Sequence, residues 1–464
     1  MPPLLTLAVA LWGIRDASYW RDEAATVSAV RRPLPGLLRM LTNVDAVHGS
    51  YYLLMWPMAR LFGTGELVMR LPSALAMSGT ALLIVAIGRW TLPRPGGLMA
   101  GLAWALLPAT SWYGQDARSY AFATTLACGA SYLFIRALHT GKGWGWYTVS
   151  LAGLGLVNLF ALLLIPAHGI TVVRTARGHS GKACRRWLVA ASQAALVTSP
   201  LMVLGWRERA DIGWIPPLDH HEVTTVEGWA GSPAVSQLTA LIIVIGIAFA
   251  AAGGPVLLRE RFPAGFAALC VPWVITPLAI LFVISLVKPV FEFRYILISM
   301  PAMALLIGAA LGALGKIGGF AALAVLALTA IPGQVAVRGP AGHYENIRWL
   351  DQIIAAREQP HDAVLYSWPG WRQAAAAYPY GLARLNDIAL AKSPEKADNL
   401  LGTELPDRVV ISKLRAVQRV WLVEMNPSQP DPLLTGHTFR LVQTWHVADV
   451  WLWLYERGPA PEHN

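Results

Sequence analysis

Charge is scarce in this sequence: Asp, Glu, Lys and Arg make up 14% of its 464 residues, while 55% are hydrophobic. That balance excludes a single water-soluble globule of ordinary composition, as does a mean hydropathy of +0.47. Cysteine is nearly absent. Cys128, Cys184 and Cys270 lie in or beside apolar segments with no metal-ligand spacing, which argues against a disulfide framework or a zinc site. No convincing glycine-rich nucleotide loop, short-period repeat or low-complexity segment is present. No small-residue cleavage motif follows the apolar stretch 3–14, so a short first helix is expected there rather than a signal peptide.

The net charge is +10. In a soluble chain this would suggest nucleic acid, but among apolar runs basic residues mark cytoplasmic loops and anionic lipid head groups. The expected partners therefore include membrane lipids and no nucleic acid.

Long uncharged runs dominate what is present. About 20 residues at 1.5 Å each cross the hydrocarbon, and such runs occupy 71–88, 96–115, 119–135, 187–206, 234–258, 262–287, 296–315 and 317–337. The run 143–173 is too long for one crossing. A single helix there would also put Arg174, Arg177, Lys182, Arg185 and Arg186 opposite Arg89 and Arg136, against the positive-inside tendency, so two short helices divided near Asn158 are expected. The fold class is a polytopic α-helical membrane protein of about eleven spans, with its N-terminus inside and its C-terminus outside.

The expected domains are a membrane domain over 1–337, with a first outer loop at 15–65, and a soluble domain over 338–464. In the latter DAVLYS, RVVISKL and VQRVWLVEM read as strands, HYENIRWLDQIIAARE as an amphipathic helix, and FRLVQTWHVADVWLWLYER as a hairpin, giving an extracytoplasmic α/β fold. Trp421, Trp445, Trp451 and Trp453 there suit core packing, with stacking on sugar rings as the alternative.

Polar clusters gather on the outer face of this topology. They are Asp22, Glu23, Asp45 and His48; Gln115, Asp116 and Arg118; Asp219, His220, His221 and Glu222; and Lys288, Glu292 and Arg294. Ionisable groups near membrane depth are costly unless they serve a cavity or a partner. Each also has an ordinary reading. Asp22 could cap a helix over EAATVSAV, Asp116 and Arg118 could form a local ion pair, Lys288 and Arg294 could anchor at the interface, and the paired histidines suit a solvated loop. Their convergence favours function, because fixed cations can clamp a phosphate while an acid handles a proton.

WRDEAATVSAVRR, VDAVHGSYYLLMWPMARLFG, ELVMRLPSALA, GQDARSYAF and FEFRYIL together resemble the bacterial GT-C glycosyltransferases of the protein-mannosyltransferase and aminoarabinose-transferase type. The likeness covers the first loop and adjoining helices and thins after Tyr120. It implies transfer of a sugar, mannose or arabinose favoured, from a polyprenyl phosphate to an acceptor hydroxyl of a glycolipid, polysaccharide or protein, with inversion, at the outer face of a bacterial plasma membrane. By the same resemblance Asp22 is the catalytic base, with Glu23 supporting it and Asp116 as a second acidic position. Arg118, Lys288 and Arg294 are donor-phosphate candidates, with Tyr295 beside them and Tyr51 and Tyr52 as substrate contacts. Relatives acting on lipid A carry a lysine and two prolines where this chain has His48, Gly49 and Ser50 before Tyr51, which moves a phosphate contact to His48. No cofactor is required; the resemblance leaves room for a divalent metal.

A flippase for a lipid-linked sugar is the competing class. It would show internal repeats and polar residues at mid-membrane, whereas here the acids and arginines collect at one face.

Overall fold

The computed structural model describes residues 1–93, 95–176, 181–218, 228–251, 265–340, 342–425, 434 and 439–458. The cluster Asp219, His220, His221 and Glu222 lies outside the described residues. Contacts divide the chain into two compact units, one of Met1–Ile14, Ala46–Tyr51 and Arg70–Ala336, the other of Arg15–Asp45, Tyr52–Met69 and Val337–Asn464. The sequence reading grouped the first loop with the spans; packing groups most of it with the C-terminal residues.

The first unit is helical. Among the described residues five helices have the length and apolarity to cross a membrane: Glu66–Thr91, Tyr120–Thr140, Lys182–Arg207, Phe266–Ser285 and Gly315–Val337. Shorter apolar helices accompany them, including Pro2–Leu11, Gly96–Leu106 and Pro233–Ala251. Several expected crossings are therefore broken helices. The run 96–115 divides into Gly96–Leu106 and Pro108–Gly114, because Pro108 forces Leu107 into an extended conformation with ψ 125°. The run 143–173 divides where expected, between Trp144–Val157 and Leu164–Ala176. There Asn158 leaves the helix and its side chain accepts a hydrogen bond from the Ala161 amide at 3.2 Å, starting a 3-10 turn.

Small residues set the closest approaches. A Cβ on Gly308 would stand 2.4 Å from the Cβ of Ala100, and one on Gly312 would stand 3.4 Å from the Cα of Gly96. The Gly96–Leu106 and Met300–Ala313 helices thus touch through Gly and Ala at four-residue spacing, the arrangement that lets apolar helices gain dispersion contacts where water drives nothing. Trp273 and His168 show how buried polar groups in this unit find partners. Trp273 Nε1 donates to the Ile298 carbonyl at 2.8 Å, and His168 meets Ser131 Oγ at 3.1 Å and Tyr147 Oη at 2.9 Å.

The second unit holds a mixed five-stranded sheet in the order β2-β1-β5-β7-β6, built from β1 (Ala363–Tyr366), β2 (Asn386–Asp387), β5 (Arg419–Met425), β6 (Phe439–Val447) and β7 (Val450–Arg457). β1 runs parallel to both its neighbours, and β7 is antiparallel to β5 and β6. A small pair of β3 (Leu390–Lys392) and β4 (Thr403–Glu404) lies beside it in sequence. DAVLYS, VQRVWLVEM and the closing hairpin are strands as expected, and HYENIRWLDQIIAARE is helical over Ile347–Arg357. RVVISKL is a correction: it is the helix Asp407–Leu414, begun after Pro406. Val410 and Leu414, one turn apart, are its buried positions, so the chance to bury one stripe outweighs the strand preference of its β-branched residues.

The first-loop helices join this unit by specific ties. The Arg21–Val30 helix is buried along nearly its whole length and packs on the Arg372–Ala377 helix. Arg32 donates to the carbonyls of Pro394 and Asn399, and Arg39 pairs with Asp398 at 3.3 Å. Glu66 Oε1 accepts from Tyr378 Oη at 2.6 Å and from Arg348 at 2.7 Å, while Tyr378 Oη accepts the Tyr19 amide at 3.0 Å.

Candidate active site

In the second unit, the Arg21–Val30 helix begins from Trp20, whose extended backbone (φ −99°, ψ 175°) makes it the N-cap. Asp22 therefore occupies the second helical position, not the cap expected of it as its ordinary role. The capping contact falls to Glu23, fully buried, whose Oε2 accepts the Trp20 amide at 3.4 Å. Asp22 itself is half-buried. A carboxylate at this position enjoys the positive end of the helix dipole.

The start of that helix is gripped from the C-terminal side. Glu345 accepts the Arg21 amide at 3.1 Å through Oε2 and the Arg21 Nε at 2.5 Å through Oε1. Arg21 also lies over the Trp368 ring at 5.6 Å, and Trp20 meets Tyr344 with ring centroids 5.2 Å apart. Burial holds the Glu345 carboxyl above the ordinary glutamate value, the charge and hydrogen bonds of Arg21 pull the other way, and the charge of Asp22 adds to the rise. Asp45, at φ 62°, accepts a 2.5 Å hydrogen bond from Tyr52 Oη. This bond gives Tyr52 a structural task in the turn that leads to His48.

In the first unit, the turn 115–118 lies between the Pro108–Gly114 and Tyr120–Thr140 helices, with Asp116 1% and Arg118 5% exposed. Its backbone is fastened from both sides. Gln115 Nε2 donates to the Ala10 and Trp12 carbonyls, each at 2.8 Å, and Ser73 Oγ donates to the Asp116 carbonyl at 2.7 Å. The Arg118 guanidinium approaches His48 Nε2 at 2.9 Å. A guanidinium only donates, so this contact uses His48 Nε2 as its acceptor. Tyr51 is buried against Phe122, with centroids 5.8 Å apart. His48 and Arg118 are thus brought together, and the departure at His48 coincides with the arginine it touches.

Arg294 belongs to the same unit. It lies over Trp214 at 5.0 Å and Tyr295 at 6.0 Å, with Glu292 at 3.7 Å, and Tyr295 stacks on Phe160 at 4.2 Å. Such an aromatic-walled guanidinium retains its charge in a half-buried setting. Lys288, by contrast, is exposed and donates to the Arg209 carbonyl at 3.4 Å. Glu345 and Arg21 are the site-adjacent residues that sequence reasoning missed; they stand 324 positions apart, and no local pattern joins them.

The comparisons agree with this architecture. Residues 50–206 match the sequence model of the dolichyl-phosphate-mannose-protein mannosyltransferase family. No curated protein matches the chain. Among solved structures, it resembles apo ArnT from Cupriavidus metallidurans at 15% identity and a TM-score of 0.63, covering 97% of both chains. The same protein bound to undecaprenyl phosphate gives a TM-score of 0.61 at 15% identity, again over 97% of both. The mycobacterial arabinofuranosyltransferase AftD gives 0.50 at 13% identity, over 99% of this chain and 41% of that one. The fold is that of the GT-C class. The matched segment is similar to a glycosyltransferase family, and the chain shares the fold of multi-pass membrane proteins of that class.

Proposed function

We propose that the enzyme moves a sugar from a polyprenyl-phosphate donor to an acceptor hydroxyl on the outer face of a bacterial plasma membrane, its helices making about eleven crossings. The observation that carries this is the contact of half-buried His48 with Arg118, which is buried on a turn fastened by Gln115 and Ser73. The fork of N–H donors on a guanidinium suits phosphate oxygens. The ArnT complex with undecaprenyl phosphate, on the same fold, supports that choice of anion. The transporter reading draws no support from the comparisons.

In this reading a glycosyl phosphate is already activated, so the protein positions two substrates, removes one proton and stabilises the leaving phosphate. Asp22 takes the proton of the acceptor hydroxyl as that oxygen attacks the anomeric carbon and the bond to phosphate breaks, with inversion. Glu23 holds the helix that presents Asp22. Arg118, with His48, meets the charge gathering on the phosphate, and Arg294 is a second cation for the same group. Asp116 stays an acidic position of the site and Tyr51, Tyr52 and Tyr295 polar contacts near it. Mannose or arabinose is the favoured sugar.

The test is transfer from a panel of radiolabelled polyprenyl-phosphate sugars by the full chain in nanodiscs. Asp22→Asn should lower kcat by about 10²- to 10⁴-fold, the worth of a positioned base, while folding survives. Equal transfer by the variant would remove Asp22 from that role, and no transfer from any donor by the native enzyme would remove the reading.

A further inference from the structure

We infer that Glu345 is a positioning residue for Asp22, a role that rests on Asp22 acting as the base. Its two oxygens hold the neighbouring residue twice, by the Arg21 amide at 3.1 Å and by the Arg21 Nε at 2.5 Å. Arg21 is the first residue of its helix and Asp22 the second, so fixing the amide and side chain of one sets the direction in which the other leaves the helix.

The grip is built at a cost that packing alone does not demand. The Glu345 side chain is 3% exposed and that of Arg21 33%, so a carboxylate is held out of water against a cation that water still reaches. Apolar residues of similar volume often stabilise as well as such a pair; what a buried pair adds is geometry. The backbone beside it is also held off its minimum. Tyr344 sits at φ 66°, a left-handed conformation uncommon for an aromatic residue, and its ring is engaged by Trp20. Tyr344 and Glu345 thus clasp Trp20 and Arg21 residue against residue. A third contact, Arg21 over Trp368, closes the guanidinium from another side. The charge of Glu345 also reaches Asp22, so its carboxylate acts on both the place and the electrostatic surroundings of the base.

A structural tie would act through the amount of folded protein, whereas a positioning residue acts on turnover in protein that is folded. The experiment compares native enzyme, Glu345→Gln, Arg21→Gln, the double variant and Asp22→Asn as full chains in nanodiscs, with the polyprenyl-phosphate sugar that the native enzyme uses. Glu345→Gln keeps the volume and one acceptor, which protects folding. It should lower kcat by about 10- to 100-fold, the scale of a misplacement near 1 Å, with donor KM within about twofold and the melting temperature at neutral pH nearly unchanged. Arg21→Gln should do the same, and the double variant should be no worse than either single one, because the two residues act as a unit. An unchanged kcat in Glu345→Gln, a loss confined to KM, or losses that multiply in the double variant would overturn the inference. If Asp22→Asn is inactive while Glu345→Gln is native, positioning alone fails; if Asp22→Asn keeps the native rate, the base assignment fails and the inference falls with it.

Discussion

Glu23, not Asp22, closes the start of the Arg21–Val30 helix, and the difference is one residue of register. The sequence DEAATVSAV reads equally well with either acid at the boundary, because an aspartate before a helical run is the common cap. What moves the boundary is Trp20, whose extended backbone and contact with Tyr344 lie beyond local pattern. Arg118 and His48 were legible as types, an arginine and a histidine near span ends, but their 2.9 Å meeting across 70 positions was not. For that pair, Arg118→Ala should weaken binding of undecaprenyl phosphate by about 10- to 100-fold, the worth of a charged hydrogen bond, measured by titration of the nanodisc-embedded protein. His48→Phe should weaken it less, since the guanidinium remains. For Glu345 the sign follows from its raised carboxyl. The stability it contributes is fully present below the ordinary glutamate value and is lost as pH rises through the higher value it has when folded. The melting temperature of native protein minus that of Glu345→Gln should therefore increase as pH is lowered from about 7 to about 5, followed by tryptophan fluorescence. A flat difference would mean the carboxyl titrates as it does unfolded.

At the scale of elements, hydrophobic runs and basic loops located most helices, and the charge argument located the break at Asn158 before any contact was known. Leu107 and Pro108 show the limit: a run of uniform hydropathy hides a bend that only the proline reveals. RVVISKL shows the opposite case, in which β-branched residues suggested a strand and the buried pair Val410 and Leu414 decided for a helix. Glycine contacts were not legible, because which two helices meet is a property of the assembled unit. They are testable. Gly308→Leu should drive a side chain into the backbone of Ala100, where even a Cβ stands 2.6 Å from Cα. The expected cost is about 3 kcal/mol, seen as a lower denaturant midpoint and a loss of monodisperse protein in detergent. Gly308→Ala at the same contact should cost less, and equal behaviour of Leu and the native residue would refute the close approach.

The whole molecule presents much apolar surface. Only 17% of the most apolar window of the Lys182–Arg207 helix is buried, and Leu196 on it is 73% exposed. Lipid is the environment that makes such a face stable. Leu196→Lys should therefore disfavour membrane insertion by about 2.5–3.5 kcal/mol, read as a smaller membrane-integrated fraction after alkaline extraction, whereas a lysine at exposed Arg39 should change nothing. The division into units was the least legible feature of all. Its ties, Arg21 to Glu345 and Tyr378 to Glu66, span more than 300 positions and leave no periodicity.

Those ties have a consequence for biosynthesis. The second unit is composed of Arg15–Asp45, Tyr52–Met69 and residues that begin at Val337. Its first pieces emerge from the ribosome early, and their partners follow only after every intervening helix has been made. At about 5–20 residues per second, the interval is roughly 15 to 65 s, far longer than the microseconds in which a helix forms. During that time the Arg21–Val30 helix has neither Glu345 to hold its first turn nor the Arg372–Ala377 helix to cover it. The acid proposed for catalysis is thus set in place last, so a truncated or stalled chain would insert its helices and still lack a finished base.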